Sequence, residues 1–586
     1  MKKKVNCTLS QVQSKYWRGY NFFPLLPQKF IRTHLRKSIL FCFIILFGLT
    51  GCKNSIEENT VPESPKHISD DVIVSNSDYG RTRRQNLDYI FNNQTLGETS
   101  ITMLRSEWNK LCDNYRYFYK NENCVKALSY SYKKDDCSWT LKDVGLRLRG
   151  NTSRCSPQGL DNGREQGQRN ASWKSSYYDY AEKQNNDYRQ ANFKVDFEEF
   201  LADGENQKMA GCMSGVALKR MDNSCSREIF CFDLFHQYGI WTAPRASHTR
   251  LSINIIEDNS DNSITSIDFG VYEMFEEVNK QALKARDKDE NTAKNAWKNS
   301  KGNLWKGSRI LTDTASDLTD SSGIGMGIEK LKIFFDDEEI SGQNITIKKE
   351  GNRTGYVFDE YSLDLKTNKN DFETAKKEFC NFIWELNELP TPSSDDDTVS
   401  TDIIKTFYEK WFDVDFFIKT YAINIICGMD DDYWAKANNY YLYFCDDKNG
   451  KRKVYFIPFD FDNSLGQSTK TGGVMQNPLK WGRGENRPLM DKLISVPEYR
   501  DKFVSYLKTL TAEDSLWNYK RCSSQFLKWK DMVSPYLNSK DLCFKGGIGA
   551  NSFSGACTNP SGYSLVDKSN NLYDATRECF KKWLEK

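Results

Sequence analysis

The stretch VYFIPFDFDNSLGQ, Val454 to Gln467, places Asp460 and Asp462 where a run of β-branched and aromatic residues is broken by Pro458. Some way upstream, Asp430, Asp431 and Asp432 follow Gly428 and Met429, and Asn438 and Asn439 lie between the two acid clusters. Carboxylates and an amide gathered on consecutive elements suit a hard divalent cation, which takes oxygen ligands and keeps waters for a substrate phosphate. The same parts recur in phosphoryl transfer, where one Asp accepts the proton of the attacking hydroxyl while an Asn and a second Asp hold metal. Taken singly, each cluster reads equally well as a solvated turn or a strand-end cap; their conjunction is what favours a site.

Other chemistry is narrowed by subtraction. The chain has four histidines, which excludes a His-rich metal site. A Ser-His-Asp hydrolase would have to use His236 or His248, and His248 sits in an alternating stretch where a structural His is expected. Lys194 in NFKVDF lies on an expected strand, as does the phosphate-holding Lys of protein kinases, although a strand Lys is more often simply the polar face. RLRGNTS, Arg147 to Ser153, offers Arg149 and backbone amides near Gly150, either a phosphate-contacting loop or an ordinary turn. GIGMG, Gly323 to Gly327, has no strand before it and fails the context test for a dinucleotide loop. Lys plus Arg number 82 and Asp plus Glu 80, a formal charge of +2 that gives no case for nucleic acid.

The elements that must position these residues read as α+β. Strands are expected over Leu141–Gly150 and Ala191–Phe200, the latter with Phe193, Val195 and Phe197 on one face, separated by a polar loop. A helix over Cys225–Tyr238 stops at Gly239, and strands follow at Arg245–Ile256 and Asp268–Val278. A helix is expected at Asp371–Leu386, a polar loop at Thr391–Asp402, and a single buried helix at Thr406–Gly428. NNYYLYF and KVYFIPFDFD then form a hairpin, and the region after Pro488 is mostly helical with a Gly-rich, Cys-bearing loop from Lys545 to Pro560.

The N-terminus has the pattern of a signal peptide: Lys29, Arg32, Arg36 and Lys37, an apolar run from Ile39 to Phe47, then Leu49-Thr50-Gly51-Cys52. That ending resembles a bacterial lipoprotein box, with Cys52 lipidated. The expected organisation is a leader with an N-terminal extension over 1–51, a lipidated Cys and flexible tether over 52–80, the catalytic body over 81–503 and a helical, Cys-bearing extension over 504–586. Cysteines in an exported chain imply disulfides, and Cys112/Cys124/Cys137/Cys155 and Cys522/Cys543/Cys557/Cys579 group as local staples.

The ordered set resembles the CotH kinase family, the spore-coat kinases and their bacterial relatives. The matching pieces are Arg149-Gly150-Asn151-Thr152-Ser153, FKVDF with Lys194, CSREIFCFDLFHQYGIWTAPRASHTRLSIN, GVYEMFEEV with Glu276, GNLWKG with Lys306, YSLDLKT with Lys366, the Asp430–Asp432 turn, NNYYLYF, IPFDFDNSLG and RPLMDKLISVPEYRDKF. The resemblance implies an atypical protein-kinase-like fold, with a mixed or antiparallel sheet lobe and a helical lobe. It implies transfer of phosphate from ATP, with Mg²⁺ or Mn²⁺, to Ser or Thr of secreted or surface proteins. By position, Asp431 is the first choice for the catalytic acid with Asp430 beside it, Asp460, Asp462 and Asn439 would hold metal, and Arg149, Lys194 and Glu276 would bind nucleotide. Phe459 stands where the family usually has Trp, and Met429 where it usually has Asn, which leaves the register among the three aspartates open. Two other functions compete. One is a catalytically inactive CotH-like surface binding or structural module. The other is an Asp-x-Asp phosphohydrolase, which wants Thr or Val two residues beyond the second Asp, where this chain has Ser464.

Overall fold

The computed structural model of the chain describes residues 72–117, 123–150, 154–158, 188–220, 226–258, 262–287, 297–309, 315–321, 324, 328–336, 346–350, 353–360, 362–467, 475–537 and 562–585. The leader, Cys52, most of the tether, residues 151–153, the glycines of GIGMG, Cys543, Cys557 and the 545–560 loop lie outside them. Among the described residues no helix is long and apolar enough to cross a membrane.

Seven strands make the first sheet: β1 (Gly97–Leu104), β2 (Val125–Lys134), β3 (Cys137–Leu148), β4 (Phe193–Asp196), β5 (Gly215–Arg220), β6 (Ala246–Ile256) and β7 (Ile264–Glu276). They close into a barrel in the order β1-β2-β3-β4-β5-β7-β6. All neighbours are antiparallel except β1 and β6, which run parallel. Strand directions that alternate around an odd-numbered ring must coincide once, and that coincidence is the β1–β6 seam. Alternate residues point inward, so Tyr130, Trp139, Leu146, Phe193, Val195 and Tyr272 fill the barrel, and Phe193, Val195 and Phe197 share this core as expected. The α+β class holds, but the expected sheet lobe is a closed barrel. Closure also removes the sheet edge that an open lobe would expose.

The end of the expected tether is part of the fold. Ser75 pairs with Thr140, and the Trp139 indole donates to the Ser77 carbonyl at 2.7 Å, so the chain docks on β3 before residue 80. Helix α1 (Arg83–Ile90) then starts in a capping box between Thr82 and Gln85, and α2 (Arg105–Tyr117) packs across the barrel strands.

Helix α3 (Arg227–Gln237) follows β5, and α4 (Lys280–Lys284) follows β7. Next come β8 (Asn303–Gly307) and a three-stranded sheet of β9 (Ile328–Asp336), β10 (Thr346–Glu350) and β11 (Arg353–Glu360), ordered β10-β11-β9. After β12 (Leu363–Leu365) the chain turns helical: α5 (Phe372–Asn387), α6 (Thr398–Trp411), α7 (Val414–Ile426) and the one-turn α8 (Tyr433–Lys436). The expected hairpin is β13 (Tyr440–Asp446) with β14 (Arg452–Pro458), and it extends β8 and β12 into an antiparallel sheet ordered β12-β8-β13-β14. One face of this sheet, with Tyr440, Leu442, Phe444 and Phe456, joins the main helical core. The other, with Tyr441, Tyr443 and Ile457, closes on Trp297 and Leu283. Helices α9 (Pro488–Ser495), α10 (Pro497–Leu510), α11 (Tyr519–Leu537) and α12 (Leu572–Leu584) complete the described fold.

Two local expectations are corrected. The single helix at 406–428 is two, because Phe412 is extended and the Asp413 side chain caps α7 by accepting from the Phe416 amide at 3.2 Å. The polar loop expected to residue 402 ends at Asp397, which caps α6. No disulfide joins the described cysteines. The thiols of the expected staples have other partners: Cys155 donates to the Gln190 carbonyl (3.4 Å) and Cys522 to the Leu516 carbonyl (3.2 Å).

Candidate active site

The alternation of Phe and Asp after Pro458 has a packing explanation. Phe459 packs on the Tyr441 ring, 5.1 Å between centroids, while Phe461 is buried against Phe232 (5.5 Å) and Phe235 (5.3 Å) of α3. The aromatics anchor the turn on both sides, and Asp460 takes a left-handed backbone (φ 60°, ψ 64°) before a short 3₁₀ turn. Asp tolerates that region better than most residues. Both carboxylates are thereby aimed at the end of β5.

There they meet Lys219. Its ammonium lies 2.6 Å from Asp460 and 4.0 Å from Asp462, and it is also paired with Glu228 on α3. Burial alone would lower its pKa, but Asp460, Glu228 and Asp462 together raise it, so it stays charged. At Asp460 the penalty of burial is outweighed by Lys219, Arg149 and Lys306, which hold the carboxyl below the ordinary aspartate value. Asp462 is pushed well above it by burial and by the charge of Asp460. The pair therefore holds one firmly ionised carboxylate beside one that resists ionisation. Two oxygen-donor groups whose mutual repulsion a cation would relieve fit Mg²⁺ or Mn²⁺, ions satisfied by one or two protein carboxylates plus waters and phosphate oxygens. Among the described residues no group of three or more His, Cys, Asp or Glu is arranged around a metal position.

Lys219 and Glu228 are absent from the residues picked out by sequence. The available signal was thin: a Lys at the end of the apolar strand GVALKR, followed by a Glu inside the apolar helix REIFCFDLF. Lys194, on neighbouring β4, is ion-paired to Glu277 at 3.1 Å. Lys194 and Arg149 hold Glu277 below the ordinary value against the effect of burial. Glu276, expected to bind nucleotide, faces the other way. It is buried between Arg286 (2.8 Å) and Arg245 (3.5 Å), because consecutive strand residues point to opposite sides. The acid on the side of Lys194 is Glu277, one residue on. Lys306 lies 5.1 Å from the centre of the Phe459 ring.

The three consecutive aspartates have three environments. Asp430 is fully buried and paired with Arg483 and Lys436, so it acts as a structural anchor and not as the exposed acid. Asp432 caps α8 and accepts from Tyr421 (2.6 Å), Asn424 (2.6 Å) and the Ala435 amide (2.7 Å). Burial pushes its carboxyl up to about 7 in spite of those donors. Asp431 keeps 21% side-chain exposure, with Lys436 at 3.7 Å and the Asn439 amide donating at 3.2 Å. Burial raises its pKa and Lys436 opposes the rise. Asn439, expected on metal, thus has its amide nitrogen on Asp431, while Asn438 accepts from the Arg309 amide at 2.9 Å.

The histidines stand apart from this chemistry. Burial, then Arg245 and Arg286, push His236 down to about 3, and it lies 3.1 Å from the Pro244 carbonyl. His248 bridges Ser226 (3.0 Å) and Asn93 (3.1 Å), with both Ser226 and His248 buried out of reach of a substrate.

A comparison with protein families matches the CotH kinase protein family over residues 146–545, most of the chain. The chain belongs to the CotH kinase family. No match is found among curated proteins or among solved structures. The CotH match begins within β3 and runs beyond α11, so the family region takes in residues past Phe503 expected to form an extension. Membership makes this a kinase-like domain, and use of ATP is the general property of such domains.

Proposed function

We propose that this protein is an ATP-dependent kinase that phosphorylates Ser or Thr hydroxyls of secreted or surface proteins, working outside the cytoplasm as a lipoprotein anchored through Cys52. The observation that carries the reading is the junction of Lys219, Glu228 and Asp460. Protein kinases need a strand Lys paired to a helix Glu, together with a metal-holding Asp. Here the same three residue types come from β5, the helix after it and the turn after β14, and they lie in ion-pair contact.

In this reading Asp460 and Asp462 would hold Mg²⁺ or Mn²⁺, which when bound neutralises phosphate charge. Lys219, Lys194 and Arg149 bind and orient the nucleotide phosphates. Asp431 faces the acceptor hydroxyl and takes its proton while the acceptor oxygen bonds to the γ-phosphorus. The bond from that phosphorus to the β–γ bridging oxygen breaks, and ADP leaves with the electron pair. Catalysis is then mainly positioning and electrostatic stabilisation. Export places the site beyond the cytoplasmic ATP pool, so the reading requires nucleotide in the outer compartment or action before export.

The test is phosphate incorporation from radiolabelled ATP by the full chain, into itself and into dephosphorylated casein, with Mg²⁺ or Mn²⁺, beside Asp460→Ala and Asp431→Ala. Incorporation by the parent that both substitutions abolish, with unchanged melting, is the expected result. Metal-dependent nucleotide binding without transfer would favour an inactive kinase-like module. Absence of nucleotide binding would overturn the reading.

A further inference from the structure

The charges around the catalytic turn match in pairs. Arg483 neutralises the buried Asp430, and the Lys436 ammonium sits 3.4 Å from Asp430 and 3.7 Å from Asp431. With Asp430 already matched by Arg483, the charge of Lys436 is balanced by Asp431. Its side chain is 30% exposed, against 0% for Asp430, so the ammonium lies on the open side of the turn. The backbone fixes it there. Lys436 is the last residue of α8, a single turn capped by Asp432 and closed by Ala437 in the left-handed region (φ 55°). The segment that carries Arg483 braces the same turn, since the Trp481 indole donates to the Met429 carbonyl at 3.0 Å. Next to Trp481, a Cβ on Gly482 would lie 2.6 Å from the Trp434 indole, so only glycine permits this approach.

We propose that Lys436, braced by the Asp430–Arg483 pair, is the positioning residue of Asp431, holding its carboxylate toward the acceptor hydroxyl together with Asn439. The proposal rests on the kinase reading above. Before transfer, Asp431 and Lys436 form a neutral pair. Once Asp431 has taken the acceptor's proton, Lys436 remains as an uncompensated positive charge beside the phosphoryl group in transit. A fixed charge aimed at where negative charge moves is the kind of group that lowers a barrier without strengthening ground-state binding.

The test compares the full chain with Lys436→Met and Lys436→Arg, using ATP with dephosphorylated casein as acceptor. Because Arg483 still neutralises Asp430, the Met variant should melt with the parent. Its kcat should fall on the order of 100-fold, the usual scale for impairing a positioned acid–base group, with KM for ATP unchanged. Lys436→Arg, which restores the charge, should recover most of the loss. Parental kcat in the Met variant, an Arg variant as slow as the Met variant, or a loss confined to KM or to melting would each overturn the assignment. A parent chain that transfers no phosphate would overturn the kinase reading itself. An active parent with an equally active Met variant would overturn only the role of Lys436.

Discussion

At Asp431 burial works against the charged carboxylate and Lys436 works for it, and burial prevails, leaving its pKa above the ordinary 3.8. A base must be ionised to accept a proton, so kcat/KM should fall on the acid side with a midpoint above that ordinary value. Rates measured over about pH 4 to 8 should show this limb, and Asp431→Asn should abolish the activity that traces it. A limb at or below the ordinary aspartate value would remove Asp431 from the role. That this turn holds a candidate base was legible, since a run of acids directly after an apolar helix is conspicuous. Which Asp faces outward was not, because cap, buried anchor and base are chemically identical residues in the sequence. Lys219 was less legible still. Its partner Asp460 is 241 residues away, and only barrel closure and the packing of Phe461 beneath α3 bring the two together.

The elements were legible where local pattern decides them. The alternating Tyr, Leu and Phe of β13 and β14, and the Phe193–Val195–Phe197 face of β4, follow from a period of two. The split between α6 and α7 was hidden because apolar spacing continues across Asp413, and a cap inside an apolar run looks like one polar residue on a helix. At the end of β7 the register rather than the element was missed. Glu276 and Glu277 are neighbours with opposite directions, so one is locked to Arg286 and Arg245 and the other meets Lys194. This predicts a pH dependence of stability. Burial would raise the pKa of Glu276, but Arg286 and then Arg245 lower it from 4.5 to about 2. The folded state thus prefers the charged form. Its contribution is complete above pH 4.5 and is lost as pH falls toward 2. Glu276→Gln leaves the buried Arg286 guanidinium without its carboxylate partner, while Arg245 keeps Asp88, at a cost of about 3 kcal/mol at neutral pH. Chemical denaturation should show that deficit at about pH 7 and a smaller one at about pH 3. An equal deficit at both values would contradict the ion-pair account.

For the whole molecule, the motif resemblance runs out at Phe503 and an extension is expected beyond it, but the structure gives no boundary there. Phe503 lies inside α10, fully buried with Leu507, and packs on Trp434 beside the Asp430–Asp432 turn at 6.4 Å. Beyond it, Phe526 of α11 stacks on Phe230 of α3 at 4.7 Å, and the Trp529 indole donates to the Asn93 carbonyl at 3.1 Å. Helix α3 carries Glu228, so the supposed extension supports the helix that completes the ion-pair junction with Lys219. Leu507, Leu510, Trp517, Phe526, Trp529 and Val533 are all buried. At roughly 1.5–3 kcal/mol for each such side chain, their loss removes about as much as the entire net stability of an ordinary domain. A chain ending at residue 503 should therefore show no cooperative thermal transition by circular dichroism and should elute as aggregate. A chain ending at residue 545, where the family match stops, keeps α10 and α11 and loses α12. It should melt cooperatively at a lower temperature, because the helix it lacks contributes Leu572, Tyr573 and Phe580 to the same core. If the shorter chain melts cooperatively and binds nucleotide as the parent does, the C-terminal helices are an appendage and the boundary expected at residue 503 stands.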